Sequence, residues 1–465
     1  MLKNKALTSF FWLFLVSLPF GLRHLIFQFT PEFNEYGAVF LYASDILMVL
    51  FLVFFGLNQA KPTVKNGFVA WRIEKKILIL FLLLAFVSMF FAFYKLLSLY
   101  NFIRLVLLVL TALAVGEMIK RRLISLERIF AVIAGLAIFE SIIAFLQFWG
   151  QKSLGLKFLG ESVLGPQISG VAKIIVEGSK LIRAYGTFPH PNILAAFLLL
   201  GLFCSCYFLF KNRHEITQMT ISRGANWPLR ELWSNFGFFC LYSLAVFIIG
   251  LGLVLTFSRT AWFLGLFLTV VYVFYIFTLK GQLRFKANTL AIVLFIFLTV
   301  FSAMNWLIVP RAKIDLSEPS VSLRVSYDKM GLYLLENNPL GVGLGNQVLY
   351  SMKNGTYQIF GMSQEWQWQP IHNIYLLIAS EVGVLGLIVF ICFFLKILAA
   401  QVKFLLKNKD FHNGSLNLVV LLMFLSLLGF GFFDHFLWTL QPGRLMLWLV
   451  LGIMLGVEDK ESLPS

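Results

Sequence analysis

Pro191-Asn-Ile-Leu-Ala-Ala-Phe-Leu-Leu-Leu-Gly-Leu-Phe-Cys-Ser-Cys-Tyr-Phe-Leu-Phe210 contains no charged side chain. As a helix it would be about 30 Å long, the thickness of a bilayer's hydrocarbon core. A surface helix of a soluble protein carries a polar face, whereas this one is apolar all round apart from Asn192 at its start and Ser205. The stretch predicts a membrane span, and comparable runs recur on both sides of it. They lie near 7–27, 37–57, 77–97, 98–118, 127–148, 189–210, 236–257, 260–279, 288–309, 373–398, 416–436 and 441–457. The chain is 59% hydrophobic and 13% charged, against about 25% charged in soluble domains. The prediction is an all-α, polytopic membrane protein with about twelve transmembrane helices, a single integral membrane domain over 1–465 with no room for a separate soluble domain.

The formal charge is +16, which in a soluble protein would suggest nucleic acid. Here the bilayer accounts for it, and no nucleic-acid partner is expected. With both termini cytoplasmic, 23 of the 38 Lys and Arg fall inside and 14 outside. Ten of those fourteen sit in two long outer loops, 149–188 and 310–372, where the positive-inside rule is weakest. This predicts a multi-pass protein in contact with membrane lipids. Lys3 and Lys5 precede an apolar run without a small-residue cleavage site, which reads as a retained first span. Cys204, Cys206, Cys240 and Cys392 all fall inside apolar runs and read as packing residues.

The long loops are where chemistry is expected. Charges at the membrane edge are costly, so each requires a partner, a wet cavity or a ligand. Arg183, His190, Arg259, Arg324 and His372 are all expected at the outer face. Each also admits a structural role. Arg259, in Thr256-Phe-Ser-Arg-Thr-Ala-Trp262, could snorkel at the interface. Arg324 lies in a predicted short helix, Val321 to Glu336, where Asp328 is spaced to pair with it. His372 stands where the second loop re-enters the membrane, a common place for a hydrogen-bonded structural imidazole.

Arg183-Ala-Tyr-Gly-Thr-Phe-Pro-His-Pro-Asn192 reads as a rigid turn capped by Asn192. In Gln364-Glu-Trp-Gln-Trp-Gln369, Trp366 and Trp368 suit stacking on sugar rings or an interfacial aromatic belt. Glu381 could orient a cation, act as an acid or base, or pair with Arg104. Gly341-Val-Gly-Leu-Gly345 departs from the nucleotide-binding spacing and reads as a flexible turn. The acidic residues outside are scattered singly, with neither DxD nor HExxH, so no metal and no cofactor are expected.

His190-Pro-Asn192, Ser258-Arg-Thr260, Asn338-Pro-Leu-Gly-Val-Gly-Leu-Gly345, His372-Asn-Ile-Tyr375 and Glu381-Val-Gly383 occur in this order. Their order and the large penultimate outer loop resemble the O-antigen ligase and polymerase superfamily, most strongly over 180–390. The resemblance implies a membrane glycosyltransferase that takes a glycan from a polyprenyl-pyrophosphate donor, at the outer face of the plasma (inner) membrane, and joins it to a glycan, lipid or protein acceptor. It implies that Arg259 and Arg324 are functional arginines and His372 the general base. Asn373 beside that base joins Arg183, His190, Asn192, Trp366, Trp368 and Glu381 as candidate substrate-binding residues. Guanidinium groups meeting the pyrophosphate bidentately would make the reaction metal-independent, and one displacement would invert the anomeric carbon. Ligase and polymerase both stay open. A non-catalytic transporter of a lipid-linked glycan is disfavoured, because the candidate charges cluster at one face and mark no path across the membrane.

Overall fold

The computed structural model describes residues 2–59, 73–176, 178–223, 229–279, 283–312, 319–408 and 410–457. Parts of the basic stretches Lys61 to Lys76 and Lys211 to Arg230, and of both long loops, lie outside the described residues. The helices in chain order are α1 Leu2–Val16, α2 Ala43–Gln59, α3 Ile73–Ser88, α4 Lys95–Lys120, α5 Leu126–Gly150, α6 Pro191–Arg223, α7 Leu229–Leu255 and α8 Arg259–Thr278. They continue as α9 Leu283–Ala312, α10 Pro319–Asn337, α11 Gln347–Lys353, α12 Thr356–Ile359, α13 Ile374–Lys407, α14 Phe411–Gly431, α15 Phe436–Thr439 and α16 Gln441–Val457. Two antiparallel hairpins interrupt them, β1 Arg23–Gln28 with β2 Ala38–Tyr42, and β3 Lys173–Val176 with β4 Ser179–Ile182.

The protein is a helical, multi-pass membrane protein. Each of the twelve apolar segments holds a helix, and among the described residues eight helices are long and apolar enough to cross a membrane. The helices α1, α2, α3 and α16 have 15 to 17 residues. The first predicted span, 7–27, is corrected: α1 ends at Val16 and the chain returns in β1. The polar start of that strand explains the change, because Arg23 pairs with Glu35 across the hairpin and covers the Phe40 ring at 4.2 Å. The predicted short helix of the second loop is present as α10.

The chain forms two compact units. In the first (1–123, 315–401 and 427–465), α4 packs against α16, α2 and α3. Small residues let α4 and α16 approach closely, Ala112 and Gly116 facing Gly452 and Gly456. At the amino end of α4, Arg104 binds Asp45 (3.1 Å), Gln441 and Tyr100, and Arg444 donates to Asn101 Oδ1 (2.9 Å). Arg104 thus has Asp45 as its acid, and the predicted alternative of a Glu381 partner is not realised.

The same unit explains two glycine motifs. Gly383 has φ 88° and breaks α13, which frees backbone groups that must find partners. The 338–345 loop supplies them: Val342 N–H donates to Ser380 O (2.8 Å), Gly343 N–H to Glu381 O (3.1 Å), and Val384 N–H to Pro339 O (3.0 Å). The predicted flexible turn is therefore a lock. A Cβ at Gly341, whose φ is +86°, would stand 2.4 Å from the Glu381 carbonyl oxygen. Gly341→Ala is expected to cost at least ~2 kcal/mol, from strain and overlap together. Thermal unfolding in detergent should show a clear loss, whereas Gly135→Ala, where a Cβ meets nothing within 4 Å, should leave the transition unchanged or raise it.

In the second unit (124–314 and 402–426), α5, α6 and α7 pack on one another with α8 and α9 beside them. Residues Ile193 to Leu200 of α6 are buried at every position, as a helix apolar all round requires.

Candidate active site

His372 is placed by the loop that precedes α13. Gln347 Oε1 accepts from Ile371 N–H (3.2 Å), Tyr357 O–H donates to Gln369 O (2.7 Å), and Tyr327 O–H donates to Gln367 O. Three side chains from α10, α11 and α12 thereby hold alternate residues of the segment 367–371. At its end the His372 ring lies flat on Tyr327, centroids 4.6 Å apart and planes 10° apart. The His435 ring meets it edge-on at 4.8 Å, and Tyr36 stacks edge-on against His435 at 5.5 Å. His435 is anchored in turn through Nδ1 to Thr439 Oγ1 (2.7 Å).

The tautomer follows from one contact. His372 Nδ1 is 2.9 Å from the Pro370 carbonyl oxygen, which can only accept, so Nδ1 carries the hydrogen and Nε2 carries the lone pair. Burial lowers the His372 pKa below its ordinary value, Asp434 pulls it up, Arg324 pushes it down, and the Pro370 contact raises it. The net direction is downward, which keeps the ring neutral near pH 7 and able to take a proton.

Arg324, one turn before Tyr327 on α10, is partly buried. Its Nε and the Asp328 Oδ1 are buried atoms with no hydrogen-bond partner among the described residues. The i,i+4 ion pair that their spacing allows is not formed. Burial raises the Asp328 carboxyl above the usual carboxylate value, and the Arg324 charge opposes that rise. Arg324 therefore acts on His372 and Asp328 through its field and has donors that neither of them occupies.

The other candidates of this unit fall into two groups. Asn373 caps α13, its Oδ1 accepting from Tyr375 N–H (3.0 Å) and Leu376 N–H (3.3 Å). Trp368 packs on Tyr357 and donates its indole N–H to Met362 O (3.2 Å). Glu381 is 4% exposed and accepts from the Trp438 indole at 2.8 Å. Asn373 and Trp368 thus engage backbone groups, and Glu381 holds a buried indole. Trp366, by contrast, is 63% exposed and offers an open aromatic face.

Arg183, His190, Asn192 and Arg259 belong to the second unit. Arg183 is buried and donates through Nε to Thr256 O (2.7 Å) and through Nη2 to Asn192 Oδ1 (2.7 Å). It thus ties the start of α6 to the turn that begins α8. In that turn Phe257 adopts φ 51° and Ser258 caps the helix, its Oγ accepting from Ala261 N–H. Arg259 is the first helical residue. His190 Nδ1 accepts from Asn192 N–H (3.2 Å), which leaves the hydrogen on Nε2. Two helix amino ends and two guanidinium groups gather in this region, an arrangement suited to anions.

Sequence reasoning missed Tyr36, Tyr327, Asp434 and His435 around His372. It also missed Glu140, whose carboxylate accepts from Thr187 N–H (2.8 Å) and Oγ1–H (2.7 Å) beneath the Arg183 turn. Asp434-His435 had a readable signal: an acid and an imidazole in the apolar run Gly431 to Trp438. The tyrosines had none, because only the tertiary fold brings Tyr36 and Tyr327 to the imidazoles.

Residues 244–391 match the model of a protein family described as O-antigen ligase. The matched stretch holds Arg259, Arg324, His372, Asn373, Trp366, Trp368 and Glu381, and excludes Arg183, His190 and Asn192. No curated protein matches the chain.

Proposed function

From the match of residues 244–391 to the O-antigen ligase family, we propose that the chain is a glycosyltransferase of the outer face of the plasma membrane. It moves a glycan from a polyprenyl-pyrophosphate carrier to an acceptor hydroxyl. In this reading all twelve apolar helices span the membrane, both termini are cytoplasmic, and the acceptor is a lipid, a protein or another glycan. The observation that supports it best is the His372 tautomer, a neutral imidazole with its lone pair on Nε2, beside Arg324.

The reaction is a single displacement. His372 Nε2 takes the proton of the acceptor hydroxyl as that oxygen bonds to the anomeric carbon. The bond from that carbon to the pyrophosphate oxygen breaks on the opposite face, and the carrier leaves as its pyrophosphate anion with inversion at carbon. Arg324 meets the growing negative charge, as a planar fork matched to two phosphate oxygens. Arg259, at a capped helix amino end of the second unit, is the other arginine that the resemblance makes functional. Asp434 steadies the imidazolium formed at His372. Trp366 offers its exposed ring to a sugar. Arg183, Asn192 and His190 keep the turn before Arg259 in place.

Charge neutralisation by guanidinium groups makes the transfer independent of divalent metal. Purified protein supplied with polyprenyl-pyrophosphate-linked glycan and total envelope acceptors should release free polyprenyl pyrophosphate and yield one glycosylated product, with the same rate in excess EDTA. No release with any acceptor would overturn the reading, and loss in EDTA restored by magnesium would overturn its metal-free chemistry. Ligation to a lipid or protein acceptor is the first reading. A ladder of carrier-linked glycans in place of a new acceptor product would identify a polymerase, which uses the same donor and leaving group.

A further inference from the structure

The helix α5 is long and apolar enough to cross a membrane, yet it carries Glu140 and Gln147 on one face, two turns apart and both 0% exposed. Glu140 lies about 15 Å along the helix from its end at Gly150. An acid at that depth is costly unless its oxygens are engaged. The reaction described above gives neither side chain a part.

Both reach the same turn. Thr187 engages each carboxylate oxygen of Glu140, its N–H donating to Oε2 (2.8 Å) and its hydroxyl to Oε1 (2.7 Å). Gln147 Oε1 accepts from Tyr185 N–H (3.1 Å) and Gly186 N–H (2.8 Å), and its Nε2 donates to Gly186 O (2.8 Å). A Cβ at Gly186 would overlap Glu140 Oε2, so the approach depends on glycine. The other end of the turn holds the connection between α7 and α8: Ala184 N–H donates to Leu255 O (3.0 Å) and Arg183 Nε to Thr256 O (2.7 Å). Phe257 then turns with φ 51°, and Ser258 caps α8, whose first residue is Arg259. A continuous path of hydrogen bonds and backbone thus leads from the middle of α5 to the residues that set Arg259, and every member belongs to the second unit.

We propose that Glu140 is a positioning residue for Arg259, with Gln147 its partner on the same turn. This rests on the reading of Arg259 as a functional arginine of the proposed transfer. Glu140 acts by geometry and not by charge, since both donors it meets are uncharged groups of one residue. Two contacts fix Thr187 in place and in direction, whereas one would let it pivot.

Hydrogen exchange and donor kinetics of the full-length protein test this together. Glu140→Gln keeps an oxygen for Thr187 N–H and brings a donor to its hydroxyl, so kcat/KM for polyprenyl-pyrophosphate-linked glycan should stay within about twofold of wild type. Glu140→Ala should lower it by about ten- to hundredfold, the usual cost of a misplaced group. It should also speed amide exchange at 183–187 and 255–260 while α14 exchanges as before. In a protein already carrying Arg259→Lys the same change should cost little further, because the group it positions is gone. Thr187→Val, which removes one of the two contacts, gives the same comparison if Glu140→Ala does not fold. Equal losses in Glu140→Gln and Glu140→Ala would overturn the proposal, since charge would then be what matters. So would a loss that multiplies in full with that of Arg259→Lys, or unchanged exchange at 255–260. Exchange is read without turnover: coupled exchange in a protein that transfers no glycan would refute the transferase and leave the path from Glu140 to Arg259 standing.

Discussion

His372→Ala is expected to lower glycan transfer by ~10²- to 10⁴-fold, the usual worth of a positioned general base, while donor binding is unchanged. The loss should fall on kcat, because the proton moves only as the acceptor attacks. Turnover and donor affinity measured together check this, and normal turnover would remove His372 from catalysis. The stronger check is the pH profile. The base works in its neutral form, and burial with the nearby Arg324 charge holds its pKa below the ordinary histidine value, against the opposing pull of Asp434. The acid limb of activity should therefore lie below the usual imidazole range. Removing a positive neighbour raises the pKa and removing a negative one lowers it. Arg324→Gln should move the limb to higher pH, Asp434→Asn to lower pH, and Arg324→Lys should leave it in place. A residue that served only packing would move none of these limbs.

The helices were legible because a bilayer demands long apolar runs: the runs at 98–118 and 127–148 became α4 and α5 with small shifts of boundary, and the run at 189–210 became α6, which continues past it to Arg223. The first span was misread because hydropathy averages over Arg23-His24, and the Arg23–Glu35 pair that makes a hairpin there is a contact between residues far apart in the window. Gly341-Val-Gly-Leu-Gly345 looked flexible since glycine composition alone does not distinguish a loose turn from a close approach. Its meaning depended on Gly383, 42 positions after Gly341, whose φ of 88° breaks α13 and exposes the carbonyls that this loop satisfies. At the candidate site, the resemblance and not the position of the residues singled out His372 as the proposed base and Arg324 as the proposed cation. The orientation of the imidazole was not legible, because it is fixed by Pro370, Tyr327 and His435, and only the first of these is near in sequence.

Arg324→Lys keeps the charge of the side chain and removes the planar two-point donor, so the two roles open to this arginine predict different outcomes. If it binds the leaving pyrophosphate, losing one charge-assisted hydrogen bond costs roughly 1.5–3 kcal/mol, or about ten- to hundredfold in rate at ~1.4 kcal/mol per decade. Arg324→Ala removes the charge as well and should lose more, with weaker donor binding. If instead Arg324 served only Asp328, the lysine would replace it well, and Asp328→Ala would be as harmful as Arg324→Ala. The geometry favours the first outcome, since Arg324 Nε and Asp328 Oδ1 are both buried and neither is used by the other. Asp328→Ala should then leave donor affinity unchanged and, by removing a carboxyl that burial already disfavours as an anion, cost little in stability. Donor affinity and turnover for Arg324→Lys, Arg324→Ala and Asp328→Ala decide the matter. Unchanged values in both arginine variants would reduce Arg324 to a structural residue of α10.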